Sequence, residues 1–524
     1  MDKTEIKHWA DQTAENVIRL FGDKKTYTCA TGISPSGTVH FGNFRETITT
    51  DLIVKALQSK GKTVRFIYSW DDYDRLRKVP ANVGKGFESY IGAPYSRIPD
   101  PFGCHKSYAE HFEIEYEDSL PKLGVKPKFI RQHEMYEACK YAEEIKTAMN
   151  STEKIKEILN KYRKSPVEKN WYPAVVYCER CGKDTTEVKE YDNNYTIRYK
   201  CECGHEDIVN FKEKGIVKLK WRVDWPMRWH YEEVEFEPAG KEHSTPGGSR
   251  TTSNQIVEVV WNRKPPVHLM YDFIILKGVG GKMSGSLGNA IALKDVLEVY
   301  ESSIIRYLFA STRPNTEFFI SFDLDVFKVY EDFDKCERIF FNKEEAKDEK
   351  EYLKQKRIYE FSEIAIPEKQ PIQPLFRHLS NLIQIYKDDF KSIKEQYRKD
   401  LKTDFDLERL KSRIACAKRW IEKYAPDEMR FHVQEGVSDE IRKQLTIKQK
   451  NSLNLLRQKL KEKEYDEKPL FEEFYTISKE TDLDPKEFFK GAYLVLIAKE
   501  KGPKLAPFIL TIGKEKVIEL IEKI

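Results

Sequence analysis

Ser34-Pro35-Ser36-Gly37-Thr38-Val39-His40-Phe41-Gly42-Asn43 is a glycine-bearing turn set between two different periodicities. Before it, Tyr27 to Ile33 is a β-rich run that predicts a strand. After it, helical spacing starts at Phe44-Arg45-Glu46, reaches Leu57 and ends near Gly61, where Val64-Arg65-Phe66-Ile67-Tyr68 reads as a second strand. Strand, glycine loop, helix and strand make a βαβ unit, so the expected fold class is α/β with a Rossmann-like parallel sheet. A loop at the carboxyl end of such a strand, opening a helix, is where these sheets hold phosphates. Gly37 and Gly42 allow backbone to approach a nucleotide, and Pro35 constrains the loop at its start. His40 and Asn43 supply hydrogen-bond donors. Ser36, Gly37, His40, Gly42 and Asn43 are therefore the expected nucleotide contacts of this loop.

A second loop, Gly280-Gly281-Lys282-Met283-Ser284-Gly285-Ser286, follows the strand-like run from Val267 to Leu276. Lys282 can neutralise charge developing on pyrophosphate, and Ser284 and Ser286 can donate to it, with Met283 on the nucleotide side. Taken singly, each loop is an ordinary turn. In this order they resemble the HIGH and KMSKS signatures of class I aminoacyl-tRNA synthetases. Asn43 stands at the last position of the first signature and keeps a donor there. Gly285 replaces the second lysine, whose role does not carry over; Lys282 alone, Lys277 or magnesium would supply the charge. Between the loops, Glu237-Pro238-Ala239-Gly240-Lys241-Glu242-His243 follows an inferred strand and resembles the adenosine-side strand end of this superfamily. Gly240 would admit the nucleotide, and His243 would face either ATP or the amino acid.

At 524 residues the chain exceeds one ordinary core. A net charge of +4 is too small to identify a polyanion binder by itself, so any nucleic-acid surface must be local. The first residues lack an apolar signal core and no run is long enough to span a bilayer, so a cytoplasmic protein without membrane contact is expected. Nine cysteines in such a chain argue for metal ligation rather than disulfides. Cys29, Cys139, Cys336 and Cys416 are isolated and read as packing residues. Cys178-x2-Cys181 with Cys201-x-Cys203 is a structural zinc pattern, and Gly182 and Gly204 suit tight knuckles. His205 lies two residues beyond Cys203, so a set of four thiolates and a set of three thiolates with one imidazole both remain open.

Helical periodicity covers residues 5–21 and 136–164; Pro166 and Pro173 then open a cysteine-bearing insertion reaching about residue 220. Sheet character returns at Val234-Glu235-Phe236, and from about residue 290 the chain reads as helices with charged faces. The expected organisation is the first half of the catalytic domain over 1–100 and a zinc-bearing acceptor-stem insertion over 101–230. The second catalytic half follows over 231–315, then a C-terminal α-helical domain over 316–524.

Trp70-Asp71-Asp72-Tyr73-Asp74-Arg75-Leu76-Arg77-Lys78-Val79-Pro80 and Trp221-Arg222-Val223-Asp224-Trp225-Pro226-Met227-Arg228-Trp229 both mix carboxylates, aromatics and cations. With these, the first loop, Pro99-Asp100-Pro101-Phe102-Gly103-Cys104-His105 and the second loop, the chain closely resembles the class I lysyl-tRNA synthetases over residues 8–340. That resemblance implies activation of L-lysine with ATP and magnesium, then transfer of lysyl to the terminal adenosine of tRNA-Lys. It implies Gly32, Ser34, Trp221, His243 and Tyr271 around the amino acid; a lysine ammonium also needs an acidic partner, for which Asp71 and Asp72 are the candidates, a pair that otherwise reads as a solvated carboxylate run. It also implies a second zinc at Asp100, Cys104, His105 and His111, which alone would read as a turn and a helix histidine. A helical anticodon-binding domain is implied; Lys411 to Trp420, which combines cations with an aromatic, reads by itself as a solvated helix face and within such a domain as a surface for phosphates and splayed bases. A monomer is expected. The competing readings are a glutamyl or glutaminyl enzyme of the same class, whose acidic substrate demands a cationic pocket, and a synthetase-like RNA-binding protein without activation.

Overall fold

The computed structural model describes residues 7–277, 283 and 290–524. Lys282, Ser284 and Ser286 of the second loop lie outside the described residues. The chain forms two compact units. One comprises Met1–Leu297, Ser302–Ile320 and Cys336–Ile366; the other comprises Glu298–Glu301, Ser321–Lys335 and Pro367–Ile524.

The first unit is built on a parallel sheet of β1 (Thr26–Ile33), β2 (Thr63–Trp70) and β3 (Lys128–Arg131). The register sets Thr26 opposite Thr63 and Ile33 opposite Trp70. On the other edge of β1, parallel bridges join Cys29 to Phe236 and Phe236 to Val267. The chain therefore steps to β2 on one side of β1 and to the 236 segment on the other. That reversal makes a crevice at the carboxyl ends, the place where open α/β sheets bind ligands. The crossover helix α2 (Phe41–Ser59) buries Phe41, Phe44, Ile48 and Leu52 on one face, and Thr47, Thr49, Thr50 and Ile53 as well. Burial on several faces marks a helix enclosed by protein. Helix α1 (Trp9–Phe21) contributes Ala10, Ala14 and Val17 at helical spacing.

The long strand expected over 267–276 is broken. Met270–Tyr271 pairs with Ala239–Gly240, whereas Ile274–Leu276 pairs with Phe318–Ile320. The break falls at Asp272, whose N–H donates to the Pro314 carbonyl at 2.8 Å and whose Oδ1 accepts from the Phe273 N–H at 2.9 Å. Arg45 fixes the same corner by donating to the Phe273, Arg313 and Thr316 carbonyls. The continuous helix expected over 136–164 is divided into Gln132–Glu137, Ala142–Asn150 and Thr152–Asn160. Cys139 interrupts it with a left-handed φ of 54°.

The expected boundary at 315–316 is not where the compact units part, because strand Phe318–Ile320 and residues 336–366 fold with the first unit. Two arginines tie these segments in. The fully buried Arg306 donates to the Leu123 and Phe361 carbonyls and pairs with Asp51 at 2.8 Å. Arg357 grips both oxygens of Asp11, with Nε at 2.9 Å and Nη2 at 2.7 Å.

The insertion holds an antiparallel sheet of Thr186–Tyr191, Thr196–Cys201 and Glu206–Asn210 beside the pair Ala174–Val176 and Val217–Leu219. Its interior is Val188, Ile197, Tyr199, Val209 and Phe211.

The second unit is helical around a core that includes Leu453, Leu456, Leu470, Phe474, Phe488 and Phe508. In the basic-aromatic run from Lys411 to Trp420, Arg413 and Trp420 are core residues, while Lys411 is exposed and Lys418 and Arg419 are partly exposed in ion pairs, a solvated helix face. Arg413 is fully buried, donating to Glu301 at 2.7 Å and chelating Asp334. Trp420 is fully buried with its indole N–H on the Phe322 carbonyl, and Lys411, Lys418 and Arg419 pair with Glu408, Asp388 and Glu298.

Candidate active site

The crevice at the carboxyl ends of β1 and its neighbours is a cleft of about 760 Å³. Gly32, Ser34, Ser36, Gly37, His40, Asn43, Asp71, Trp221, His243, Tyr271 and Met283 all line it. Residues from both glycine loops thus meet in one cavity. The two segments are remote in sequence but closely joined: the Phe41 N–H donates to the Ile291 carbonyl at 2.8 Å, and His40 bridges to Ala292.

The first loop is held by reciprocal capping of α2. Asn43 Oδ1 accepts from the His40 N–H at 3.1 Å, while the Asn43 N–H donates to the His40 carbonyl at 2.8 Å. Asn43 therefore locks the loop conformation that presents His40. Gly42 is required beside it, because a Cβ there would sit 2.9 Å from His40 Nδ1. Gly42→Ala is expected to displace the imidazole and lower the turnover of amino-acid activation by about 10–100-fold without unfolding the chain. Steady-state exchange kinetics and a thermal melt check both halves of that expectation. Gly32 is tighter still, as its Cβ would lie 2.4 Å from the Ser69 carbonyl on the paired strand.

The amino-acid side of the cleft is aromatic. Helix Trp221–Tyr231 stacks Trp221 on Trp225 at 5.2 Å and Trp225 against Trp229 at 4.9 Å. Pro226 removes the N–H that would serve the Arg222 carbonyl, and Ser253 Oγ donates to that carbonyl at 3.4 Å instead. His243 Nδ1 lies 2.7 Å from Ser249 Oγ. Gly240 is buried and is not among the cleft-lining residues, but a Cβ there would lie 2.8 Å from Glu242 Oε2 and 3.5 Å from the Tyr271 ring, both of which line the cleft.

The two acidic residues singled out from sequence behave differently. Asp72 does not line the cleft; it is fully buried and accepts from the His133 backbone N–H at 2.8 Å and from its ring. It follows Asp71 in a turn just beyond the end of β2, which the Asp74 N–H closes on the Asp71 carbonyl at 3.1 Å. Asp71 faces the cleft and is paired with Arg228 at 2.6 Å. Burial pushes its carboxyl up, against the pull of Arg228. Arg228 also reaches Asp224 at 3.4 Å, and Lys218 joins Asp224 at 3.3 Å to Asp74 at 2.8 Å. Three carboxylates and two cations leave this wall with one net negative charge.

Glu46 was missed by the sequence reading, and it is the best-placed acid. One of its oxygens accepts from Thr31 Oγ1 at 2.8 Å and the Gly32 N–H at 3.1 Å, and the other accepts from Tyr271 Oη at 2.5 Å. It lines the cleft between the residues expected around the amino acid. Burial pushes its carboxyl up to about 7, helped by Glu237 and opposed by those hydrogen bonds. The available signal was helical spacing: Glu46 lies three residues after Asn43, on the loop-proximal turns of α2. At the mouth the sign reverses, with Arg75, Arg77 and Lys78 around exposed positions.

Two donor clusters lie in the first unit. The sulfurs of Cys178, Cys181, Cys201 and Cys203 all fall within 4.8 Å of one another, with Cys178–Cys203 at 3.7 Å and Cys181–Cys201 at 3.6 Å. A tetrahedral zinc with bonds of about 2.3 Å needs sulfurs about 3.8 Å apart, so the set fits that ion. His205 falls outside this group, with Nε2 3.7 Å from Asp207. Asp100, Cys104, His105 and His111 form the other cluster. Cys104 Sγ lies 3.1 Å from His105 Nδ1 and 3.3 Å from His111 Nδ1, and His111 Nδ1 lies 3.3 Å from Asp100. This mixed donor set also suits zinc.

A family model described as "tRNA synthetases class I (K)" matches residues 7–365. A lysine–tRNA ligase of Borrelia garinii is 46% identical over 98% of this chain and 99% of its own length. Those of Thermococcus kodakarensis and Methanocaldococcus jannaschii are 42% and 40% identical, each over 98% of both chains.

Proposed function

The chain belongs to the class I tRNA synthetases of the K type, and from that membership we propose that it is a lysine–tRNA ligase. It activates L-lysine with ATP, forming lysyl-adenylate and pyrophosphate, and transfers lysyl to the 3′-terminal adenosine of tRNA-Lys. The observation that carries the substrate assignment is the charge layout of one cleft: acids at Glu46, Asp71 and Asp74, with cations at the mouth on Arg75, Arg77 and Lys78. Glutamate would meet buried carboxylates in that pocket, a repulsive arrangement for a glutamyl enzyme. Lysine meets an acid for its ammonium and aromatic faces for its stem, while triphosphate meets cations.

Glu46 is our candidate for the ammonium, since Asp71 is engaged by Arg228 and Asp72 by His133. Trp221 and Tyr271 flank the methylene stem, and Gly32, Ser34 and His243 complete the amino-acid site. The lysine carboxylate then attacks the α-phosphate in line, so positioning and charge stabilisation carry the chemistry. His40 and the amides of the first loop hold the phosphates, with Asn43 fixing that loop. Lys282, Ser284 and Ser286, with Met283 beside them, act on the pyrophosphate. Magnesium accompanies ATP and neutralises its phosphates. Zinc at the two clusters is structural in this reading, because four protein donors leave no open position for substrate. Among the described residues no helix is long and apolar enough to cross a membrane, and we place the enzyme as a cytoplasmic monomer.

ATP–pyrophosphate exchange across the standard amino acids, with and without tRNA-Lys, tests the assignment. Exchange is expected with lysine. Exchange with glutamate or glutamine would reassign the pocket, and no exchange with any amino acid in the presence of tRNA would leave an RNA-binding protein.

A further inference from the structure

Trp221, Trp225 and Trp229 recur every four residues along the helix Trp221–Tyr231, so their rings form one stripe. Trp221 lines the cleft, and Trp225 lies one layer behind it. Two residues of the amino-acid wall lean on Trp225. Its ring stacks on Trp221 at 5.2 Å with the planes 14° apart, and meets His243 at 6.0 Å and 65°. Ring contacts alone leave an aromatic free to slide or tilt, whereas a bond to the indole N–H fixes both its depth and its plane.

That bond goes to Glu237. The Trp225 indole N–H donates to Glu237 Oε2 at 3.1 Å, and the Trp229 indole N–H donates to the same oxygen. The backbone of Glu237 is held in turn. Its N–H donates to the Val267 carbonyl at 3.2 Å, and its carbonyl accepts from Arg250 Nη1 at 3.2 Å. Arg250 lies 4.3 Å over the Trp229 ring and 5.6 Å over the Trp225 ring, and the residue before it, Ser249, meets His243. Glu237 is only 7% exposed and does not line the cleft. An enclosed carboxylate is costly; burial pushes this one up, opposed by Arg250 and the two indoles. The activation chemistry makes no use of it. What it touches is the layer on which Trp221 and His243 rest, and a binding wall is only as precise as the layer behind it.

We propose that Glu237 is a positioning residue for the amino acid: by holding the Trp225 indole it sets Trp221 and His243 at the lysine end of the cleft. The proposal rests on the lysine–tRNA ligase reading for the identity of that amino acid. It gives the tryptophan stripe a task in substrate binding, carried from a buried carboxylate through one ring to two cleft residues.

Pyrophosphate exchange by the full chain tests it, at about pH 8, where Glu46 is ionised. Glu237→Met keeps the volume and deletes the acceptor. It should raise KM for lysine by about 10–100-fold and leave KM for ATP within about threefold. Glu237→Gln retains an oxygen for the indoles and should bring the lysine KM back to within about threefold of the parent. Trp225→Phe and Trp229→Phe each remove one bond to that same oxygen, and they decide the matter should Glu237→Met not fold. Trp225→Phe should raise the lysine KM by about 3–10-fold, whereas Trp229→Phe, one turn further along the helix, should leave it within about twofold. Equal changes in these two variants, or equal changes for lysine and ATP, would make Glu237 a core residue and overturn the proposal. The near-ultraviolet tryptophan dichroism, read without substrate, should weaken in Glu237→Met and recover in Glu237→Gln; an unchanged band overturns the proposal as well. A parent without lysine exchange overturns the ligase reading instead, and the dichroism still decides this one.

Discussion

Glu46→Gln leaves the chain folded and lowers kcat/KM for lysine in pyrophosphate exchange by about 10²–10³-fold. The amide preserves an acceptor for Thr31 and Gly32 and can still contact Tyr271, so the local geometry survives. What it removes is the charge. A buried ammonium left without its carboxylate costs about 3–5 kcal/mol, and each 1.4 kcal/mol is tenfold. The loss should sit in the lysine parameters, with KM for ATP within about threefold, because the proposed site gives the phosphates to His40 and the first-loop amides and not to Glu46. Asp71→Asn offers the contrast: its partner is Arg228, so it should disturb folding and ATP use together. An unchanged lysine KM in Glu46→Gln would move the ammonium to another acid.

The same carboxyl sets a pH dependence whose sign is fixed. Burial holds Glu46 at about 7 in the absence of substrate, and lysine selects its ionised form. Lysine kcat/KM should therefore rise with pH and level off above about 7, falling about tenfold per unit below it. Stability runs the other way. The folded pKa lies above the ordinary 4.5, so the native state retains the extra proton between those values. This carboxyl's contribution to stability is complete below 4.5 and is lost as pH rises through about 7. In Glu46→Gln the acid limb of the kinetic profile should vanish.

The βαβ unit was legible because local patterns carried it: β1, α2 and β2 are found within three residues of their expected limits. Periodicity could not show that Asp272 turns a ten-residue apolar run away from one strand partner and toward another, since that depends on the Pro314 carbonyl. Nor could it distinguish Asp71 from Asp72. The two sit in a turn beyond the end of β2, and which of them meets Arg228 is decided by a helix more than 150 residues away. Glu46 was hidden for the related reason that a carboxylate within a helix ordinarily points to water. The cations of Lys411 to Trp420 looked free because Glu301, Asp334 and Glu298, which neutralise two of its arginines, are distant in sequence. Cysteine spacing, in contrast, was informative at once, though the choice between Cys203 and His205 needed the hairpin that brings Thr196–Cys201 back to Cys178.

That hairpin makes metal removal the second large effect. The three-stranded antiparallel sheet adds Val188, Ile197, Tyr199, Val209 and Phe211 to a core it shares with the rest of the first unit, and structural zinc typically contributes about 10–16 kcal/mol to such a module. Cys178→Ser or Cys201→Ser should release one zinc, measured by elemental analysis, and melt the insertion well below the rest of the first unit. Spread over four ligands, each replacement should weaken zinc binding by about 10²–10³-fold. His205→Ala should retain the ion, while Cys203→Ser should lose it. The damage should travel to the cleft by a short route. Tyr177 Oη donates to the Tyr73 carbonyl at 2.5 Å, the Asp184 N–H donates to the Gly92 carbonyl at 2.9 Å, and Arg75 pairs with Asp184 at 3.2 Å. These contacts brace the loop that carries Asp74, Arg75 and Arg77 into the cleft. Loss of zinc should therefore reduce tRNA charging by at least about 100-fold, and lysine activation as well, even though no zinc touches substrate. The second cluster separates the two roles: Cys104→Ser should release only its own ion and spare the sheet. Full charging by a zinc-free Cys178→Ser chain would show that the knuckle folds unaided and that charging does not depend on a metal at the four thiols.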